Sequence, residues 1–399
     1  MKNIVLFGGS NSVMTDGLQL GLRKFANVTN LALGASTAIQ NLYELNRDRN
    51  QEAIQNADLI ITESNVNEIQ HRARPYQLMP IDLILRNLEW FYESLARLNK
   101  PVCILILPSW GKYCEKINNM HRYFANLYGF YVIDLQTYYN ENDLRSFGEK
   151  LHISHHGHQM SVIYKKLGKN IAKNIDDFKN ISKNAFRYNL PEFKIITANE
   201  MIKHGEIKSF NPKNSNYNEV VFRLEKGNFL ELKEYSGYKI IGLHSWLLDE
   251  NGNVKKYNSN SHLHSASLFI GLLNDANNQI RKHMCMINTY CEIQADITIN
   301  DDFIVKFNDE NLPATEFFGA WLTYQKSYFD LISLFICKSY DKKDLTSLEN
   351  IPENEIIKIE NDYKHLIPDI TFFSDCLDFI DEYMEAKFST QEKYTGQFF

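Results

Sequence analysis

A chain of 399 residues with an ordinary apolar share, 44%, is long enough to bury the cores of two domains. Its net charge of −6 and the lack of any run of five Lys or Arg argue against nucleic acid or an anionic membrane as partner. No stretch approaches the length of about 18 apolar residues that a membrane span needs. The six cysteines are scattered, with no C-x-x-C, which points to free thiols in a reducing compartment. One Lys and a short apolar run make no signal peptide, so the expected address is cytoplasmic.

Taken in order, residues 1–178 alternate strand-like and helix-like segments. Apolar runs of strand length occur at Asn3–Phe7, Val28–Leu33, Asp58–Glu63, Val102–Leu107 and Phe130–Ile133. Amphipathic stretches near Gly17–Phe25, Thr37–Leu45, Ile81–Leu98, Glu115–Leu127 and Gln159–Ile175 read as helices. Five short buried strands separated by helices predict an α/β fold with a doubly wound, mostly parallel sheet. Residues 176–184 turn polar, and a linker is expected over 179–194. A strand-rich, β-sandwich-like accessory part follows over 195–325, with a hairpin signal at Asn251-Gly252. A mixed C-terminal segment fills 326–399, with an amphipathic helix over Phe372–Lys387.

Four blocks carry chemistry. Ile4-Val5-Leu6-Phe7-Gly8-Gly9-Ser10 is a strand, a glycine turn and a serine, which sets a hydroxyl at the carboxyl end of the first strand beside a helix start. Gly34-Ala35 follows the second strand and allows close backbone approach. Asn65-Val66-Asn67-Glu68 follows the third strand with two side-chain amides. Glu149-Lys150-Leu151-His152 follows the fifth, with a carboxylate three residues before an imidazole. Ser12 is a rival nucleophile. The cluster His152, His155, His156 and His158 admits a zinc reading, but no H-E-x-x-H spacing or added Cys or carboxylate ligand supports it, so no metal is expected. His155 and His156 read as loop residues and His158 as opening the next helix. Trp110, after the fourth strand, is either a sugar-stacking platform or a packing residue.

Together the blocks resemble the SGNH/GDSL hydrolase superfamily over roughly 1–178. The resemblance implies Ser10 as nucleophile, with Gly9 where the family has Asp. It implies a block II backbone donor at Gly34 or Ala35, with ungapped spacing from Asn30 favouring Ala35. It implies Asn67 as a side-chain oxyanion donor, His152 as base, and Glu149, where the family has Asp, as its orienting carboxylate. The implied activity is acyl transfer through a serine ester, on O-acetyl groups of a carbohydrate bound by Asn65 and Trp110. Either water or a sugar hydroxyl would take the acyl group. No cofactor is needed beyond acetyl-CoA as donor in a transferase. The alternative is a catalytically inactive SGNH-like glycan-binding module.

Overall fold

The five apolar runs up to residue 134 form one sheet. The computed structural model describes residues 1–145, 157–180, 190–254, 263–284, 288–319, 323–338, 340 and 345–395. Strands β1 (Lys2–Phe7), β2 (Ala26–Asn30), β3 (Leu59–Thr62), β4 (Val102–Ile106) and β5 (Tyr131–Asp134) are parallel, in the order β2-β1-β3-β4-β5. β3, β4 and β5 are buried throughout, which is why they read as continuous apolar runs and not as alternating ones. The sheet edge at β5 is covered by the later chain: Val132 donates its N–H to Asn361 and accepts from Tyr363.

Helices α1 (Ser10–Val13), α2 (Leu18–Leu22), α3 (Ala38–Leu45), α4 (Gln51–Gln55), α5 (Asn65–Ala73), α6 (Ile81–Arg97), α7 (Cys114–Tyr128), α8 (Leu135–Glu141) and α9 (Ser161–Lys173) connect and follow the strands. α3, α6 and α7 pack on one face of the sheet; α2, α8 and α9 pack on the other. α2 and α9 cross with their backbones in contact. A Cβ on Gly21 would overlap the Lys165 carbonyl, and one on Gly168 would overlap that of Leu18. This crossing fixes where the chain enters α9, and with it residues 157–160, beside the turn after β1.

The strand-rich part forms two mainly antiparallel sheets. The first runs β14 (Asn288–Glu292), β11 (Tyr238–Trp246), β18 (Tyr328–Lys338), β9 (Val221–Glu225) and β8 (Lys208–Phe210), with β6 (Phe193–Thr197) also on β18. The second runs β16 (Glu316–Phe318), β13 (Gln279–Met284), β12 (Leu263–Gly271), β15 (Ile304–Phe307), β10 (Phe229–Glu231) and β7 (Ile202–His204), with β17 (Thr323–Gln325) on β12. Leu224, Leu243, Leu268, Ile270, Val305 and Leu334 fill the space between them.

Three sequence expectations change here. The mixed C-terminal segment starts after Lys338 and not at 326, because Tyr328–Lys338 is the strand that joins β11 to β9 and β6. The Asn251-Gly252 turn forms, with Gly252 at φ 80° and its N–H on Asp249, but it is not a hairpin: β11 and β12 lie in different sheets. The C-terminal helix α10 (Ile370–Thr395) is longer than Phe372–Lys387. Of the linker, 181–189 lie outside the described residues. No helix among the described residues is long and apolar enough to cross a membrane.

The outer face of the β14-β11-β18 sheet lies on α3 and α6. Ile241, Trp246, Tyr290, Ile332 and Phe335 join Ile39, Leu42, Tyr43, Leu88 and Phe91 in one apolar core. Polar contacts are buried with it. The Tyr43 hydroxyl lies 2.8 Å from Ser333 Oγ and 3.2 Å from His244 Nδ1. Arg47 grips Glu219 through two bonds, 2.9 and 2.7 Å. Burial holds the His244 imidazole neutral, its pKa pushed down to about 4.

Residues 1–180 expressed alone should therefore lose cooperative unfolding and bind an apolar dye, since the α3 and α6 face loses its cover. A calorimetric melt of that fragment matching the corresponding transition of the whole chain would refute the shared core.

Candidate active site

The β1 strand ends at Phe7, and the chain turns through Gly8 and Gly9 to start α1 at Ser10. Both glycines leave room for side chains that would otherwise have to move. A Cβ on Gly8 would lie 2.6 Å from Glu63 Oε1 and 2.7 Å from Ser12 Oγ. A Cβ on Gly9 would overlap the Asn67 amide nitrogen and lie 3.6 Å from the Ser36 carbonyl oxygen. The segments that follow β1, β2 and β3 thus converge at Gly9. Ser10 is half-buried there, and its Oγ lies 2.6 Å from Nε2 of His158. Asn11 donates its amide to the Gly157 carbonyl at 2.8 Å, tying the chain before His158 to the same turn.

The segment after β2 continues along the sheet before turning. Leu31 donates to Leu6, and Leu33 donates to Gly8. Asn30 reaches back to the Ser12 carbonyl at 2.8 Å. Ala35 then takes a left-handed conformation, φ 58°, which disfavours any residue with a Cβ. The chain continues into α3, whose first N–H, on Ala38, bonds Glu68 Oε1 at 2.8 Å; a carboxylate suits a helix amino terminus. Asn67, one residue before, donates its amide to the Ser36 carbonyl at 2.7 Å.

Glu63 stands at the end of β3 beneath the turn. It is 1% exposed. Its Oε1 accepts the Gly9 N–H and the Ser12 hydroxyl, both at 2.9 Å, while Oε2 has no hydrogen-bond partner among the described residues. Burial pushes its pKa up to about 7, against the hydrogen bonds from Ser12 and Gly9 that favour the carboxylate, and Glu68 adds to the rise.

The structure brings Ser10, the 34–35 turn and Asn67 to one place. Gly34 has open space around its Cα, while Ala35 carries the left-handed turn. Other expected residues fall elsewhere. Asn65 is fully buried and cannot meet a substrate: its amide donates to Leu107 and Asn118, and its oxygen accepts the Leu107 N–H. Ser12 is fully buried on Glu63, which removes it as a rival nucleophile. Trp110 is half-buried and packs toward Tyr139, with ring centroids 6.4 Å apart. Glu149, His152, His155 and His156 lie outside the described residues. The described imidazole at Ser10 is that of His158, which the sequence reading assigned only to the start of a helix. Its one sequence signal was position, within three residues of α9. Glu63 was missed as well; its signal was a carboxylate set directly after the apolar run of β3.

No protein-family model matches the sequence, and no curated protein matches it. Among solved structures, an acetyl xylan esterase, AlAXEase, is similar to 44% of this chain over 98% of its own length, at 16% identity and a TM-score of 0.34. The lipase Lip_vut3 from a goat rumen metagenome overlaps 45% of this chain and 98% of its own, at 13% identity and TM-score 0.33. LAE5, an alpha/beta hydrolase enzyme from the metagenome of Lake Arreo, Spain, overlaps 44% of this chain and 95% of its own, at 12% identity and TM-score 0.36.

The buried Glu63 sets a pH signature. Its folded pKa is raised, so the fold holds this proton more tightly than the unfolded chain does. The stabilisation this gives is complete below the unfolded value near 4.5 and is lost as pH rises to about 7. Glu63→Gln cannot titrate. Measured by urea midpoints, its stability relative to the parent should improve between pH 4.5 and 7.5, by on the order of 3 kcal/mol. A relative loss over that window would show that the carboxylate is stabilised by the fold.

Proposed function

We propose that this chain is a serine-dependent acyl-ester enzyme with Ser10 as nucleophile. The observation that carries the reading is the 2.6 Å approach of the Ser10 hydroxyl to the His158 imidazole at the carboxyl end of a central parallel strand. Ser10 Oγ attacks the ester carbonyl carbon and forms the new C–O bond, while its proton passes to Nε2. The carbonyl oxygen becomes an oxyanion, met by the Ser10 N–H, a backbone N–H of the 34–35 turn and the Asn67 amide, which swings from the Ser36 carbonyl. The tetrahedral species collapses, the bond to the leaving alkoxide breaks, and the imidazolium returns its proton to that alkoxide. The acyl-enzyme is then opened by a second hydroxyl, deprotonated by the same imidazole.

The substrate class we propose is an O-acetyl group on a carbohydrate. It rests on the resemblance of the four blocks to SGNH/GDSL enzymes. Water as the second nucleophile makes the protein an esterase. A sugar hydroxyl, with acetyl-CoA as donor, makes it an O-acetyltransferase; both share the acyl-enzyme. The base is assigned to His158 on its contact with Ser10, whereas the motif spacing favours His152.

Hydrolysis of p-nitrophenyl acetate, acetyl transfer from acetyl-CoA to glycan acceptors, and labelling by a fluorophosphonate probe test the reading. Ser10→Ala should abolish all three. His158→Ala should lower the acylation rate by about 10²–10⁴, and His152→Ala should leave it near the parent's. The reverse pattern moves the base to position 152 and keeps Ser10. Asn67→Ala should cost about 10²–10³ in kcat. Gly9→Ala should match it, because its methyl displaces the same amide. Full labelling of Ser10→Ala, or none of the folded parent, overturns the proposal.

A further inference from the structure

We propose that Glu63 is a positioning residue that locks the nucleophile turn from beneath, through one carboxylate oxygen shared by Gly9 and Ser12. The inference rests on the reading of Ser10 as nucleophile. Ser10 lies between its two anchors: the residue before it donates a backbone N–H, and the residue two after it donates a hydroxyl, both at 2.9 Å and both to Oε1. Held at both ends, the turn cannot rotate about Ser10 without breaking a buried hydrogen bond, at about 1–3 kcal/mol each. The packing admits no substitute for Glu63 from the turn itself. A side chain at position 8 would collide with the carboxylate and the Ser12 hydroxyl, and one at position 9 with Asn67.

The arrangement has a second consequence. The Gly9 N–H is occupied by Glu63, so it is not a donor to a substrate oxyanion, and the backbone donor from this turn is the N–H of Ser10. A buried carboxyl is a costly way to hold a turn. The cost is reduced because burial favours the protonated form of Glu63, and either protonation state presents Oε1 to both donors. What Gly9 and Ser12 require is an acceptor oxygen at that point; the charge is secondary.

That distinction gives the test. The rate of fluorophosphonate labelling at Ser10 is measured per folded molecule for the whole chain and for Glu63→Gln, Glu63→Ala, Ser12→Ala and the Glu63→Ala/Ser12→Ala pair, with kcat and KM for p-nitrophenyl acetate alongside. Glu63→Gln keeps an acceptor oxygen and should label within about fivefold of the parent. Glu63→Ala should label about 10²-fold more slowly, with the loss in kcat and KM within about threefold, as expected when a reacting atom is displaced by about 1 Å. Ser12→Ala should fall between them, and the pair should be no slower than Glu63→Ala, because both changes release the same turn. Folded Glu63→Ala labelling within twofold of the parent overturns the proposal. Should Glu63→Ala not fold, Ser12→Ala decides: labelling within twofold of the parent overturns it, and a clear slowing supports it. If the folded parent itself takes no label at Ser10, the nucleophile reading fails first and the role of Glu63 falls with it.

Discussion

The lack of room at Gly9 is the constraint on which the site depends. Three segments from three separate parts of the sheet edge meet there: the Asn67 amide stands where a Cβ would lie and the Ser36 carbonyl oxygen is 3.6 Å from that point, so a side chain at position 9 has to displace the amide. Because Asn67 and the Ser36 carbonyl sit against this backbone, the side-chain amide and the turn after β2 are held within reach of whatever the neighbouring serine contacts. The same crowding explains the burial of Glu63. With glycine at positions 8 and 9 the turn has no side chain of its own there, and its polar groups are satisfied from the end of β3.

The strand-rich part bears on this site through the segment after β2. Tyr217 places its hydroxyl 3.0 Å from the Leu31 carbonyl and 3.2 Å from that of Ala32, and Ala35 packs against the core between the two sheets. The left-handed turn at Ala35 is therefore braced from outside the parallel sheet. A residue with a Cβ holds such a conformation only when its surroundings fix it. On the same seam, Arg47, just past α3, forms a two-pronged ion pair with Glu219, and the Tyr43 hydroxyl of α3 meets His244. The second part of the chain acts as a wall and a brace for the first, with an interface built like a domain core.

What could be read in the sequence follows from how strongly each element is specified locally. The five parallel strands were legible because burial on both faces turns them into short apolar runs bounded by turn residues, as at Leu59–Thr62. Tyr328–Lys338 is also buried on both faces, yet its place was missed: an unbroken apolar run says nothing about which strands flank it, and here they come from β6, β9 and β11, far away in sequence. The short strands β7, β8, β16 and β17, three residues each, carry too few positions for a period of two to register. That Ser10 and Asn67 come close together was legible because each lies in the segment that leaves a parallel strand for a helix. Asn65 has the same local signal but a different place, since it is the first residue of α5 and its amide points inward to Asn118 of α7. His158 could not be told from its neighbours in the histidine cluster, because the choice depends on the α2–α9 crossing and on Asn11, contacts well over a hundred residues apart.

Two serines on one short helical segment show how the backbone separates chemistry from support. Residues two apart on a helix point about 200° from each other, so Ser10 and Ser12 cannot face the same way. Ser10 turns to the edge of the fold and meets an imidazole; Ser12 turns inward and meets a carboxyl. The hydroxyl of Ser12 is fully buried and directed at Glu63, which fixes the turn and leaves it no access to an ester. The hydroxyl of Ser10 is within reach of a base that can take its proton and remains half open to an incoming group. Which of the two hydroxyls stays open to an incoming group is thus decided by the helical period and by which side of α1 faces β3, and both follow from the glycine pair that lets the chain turn so tightly off β1.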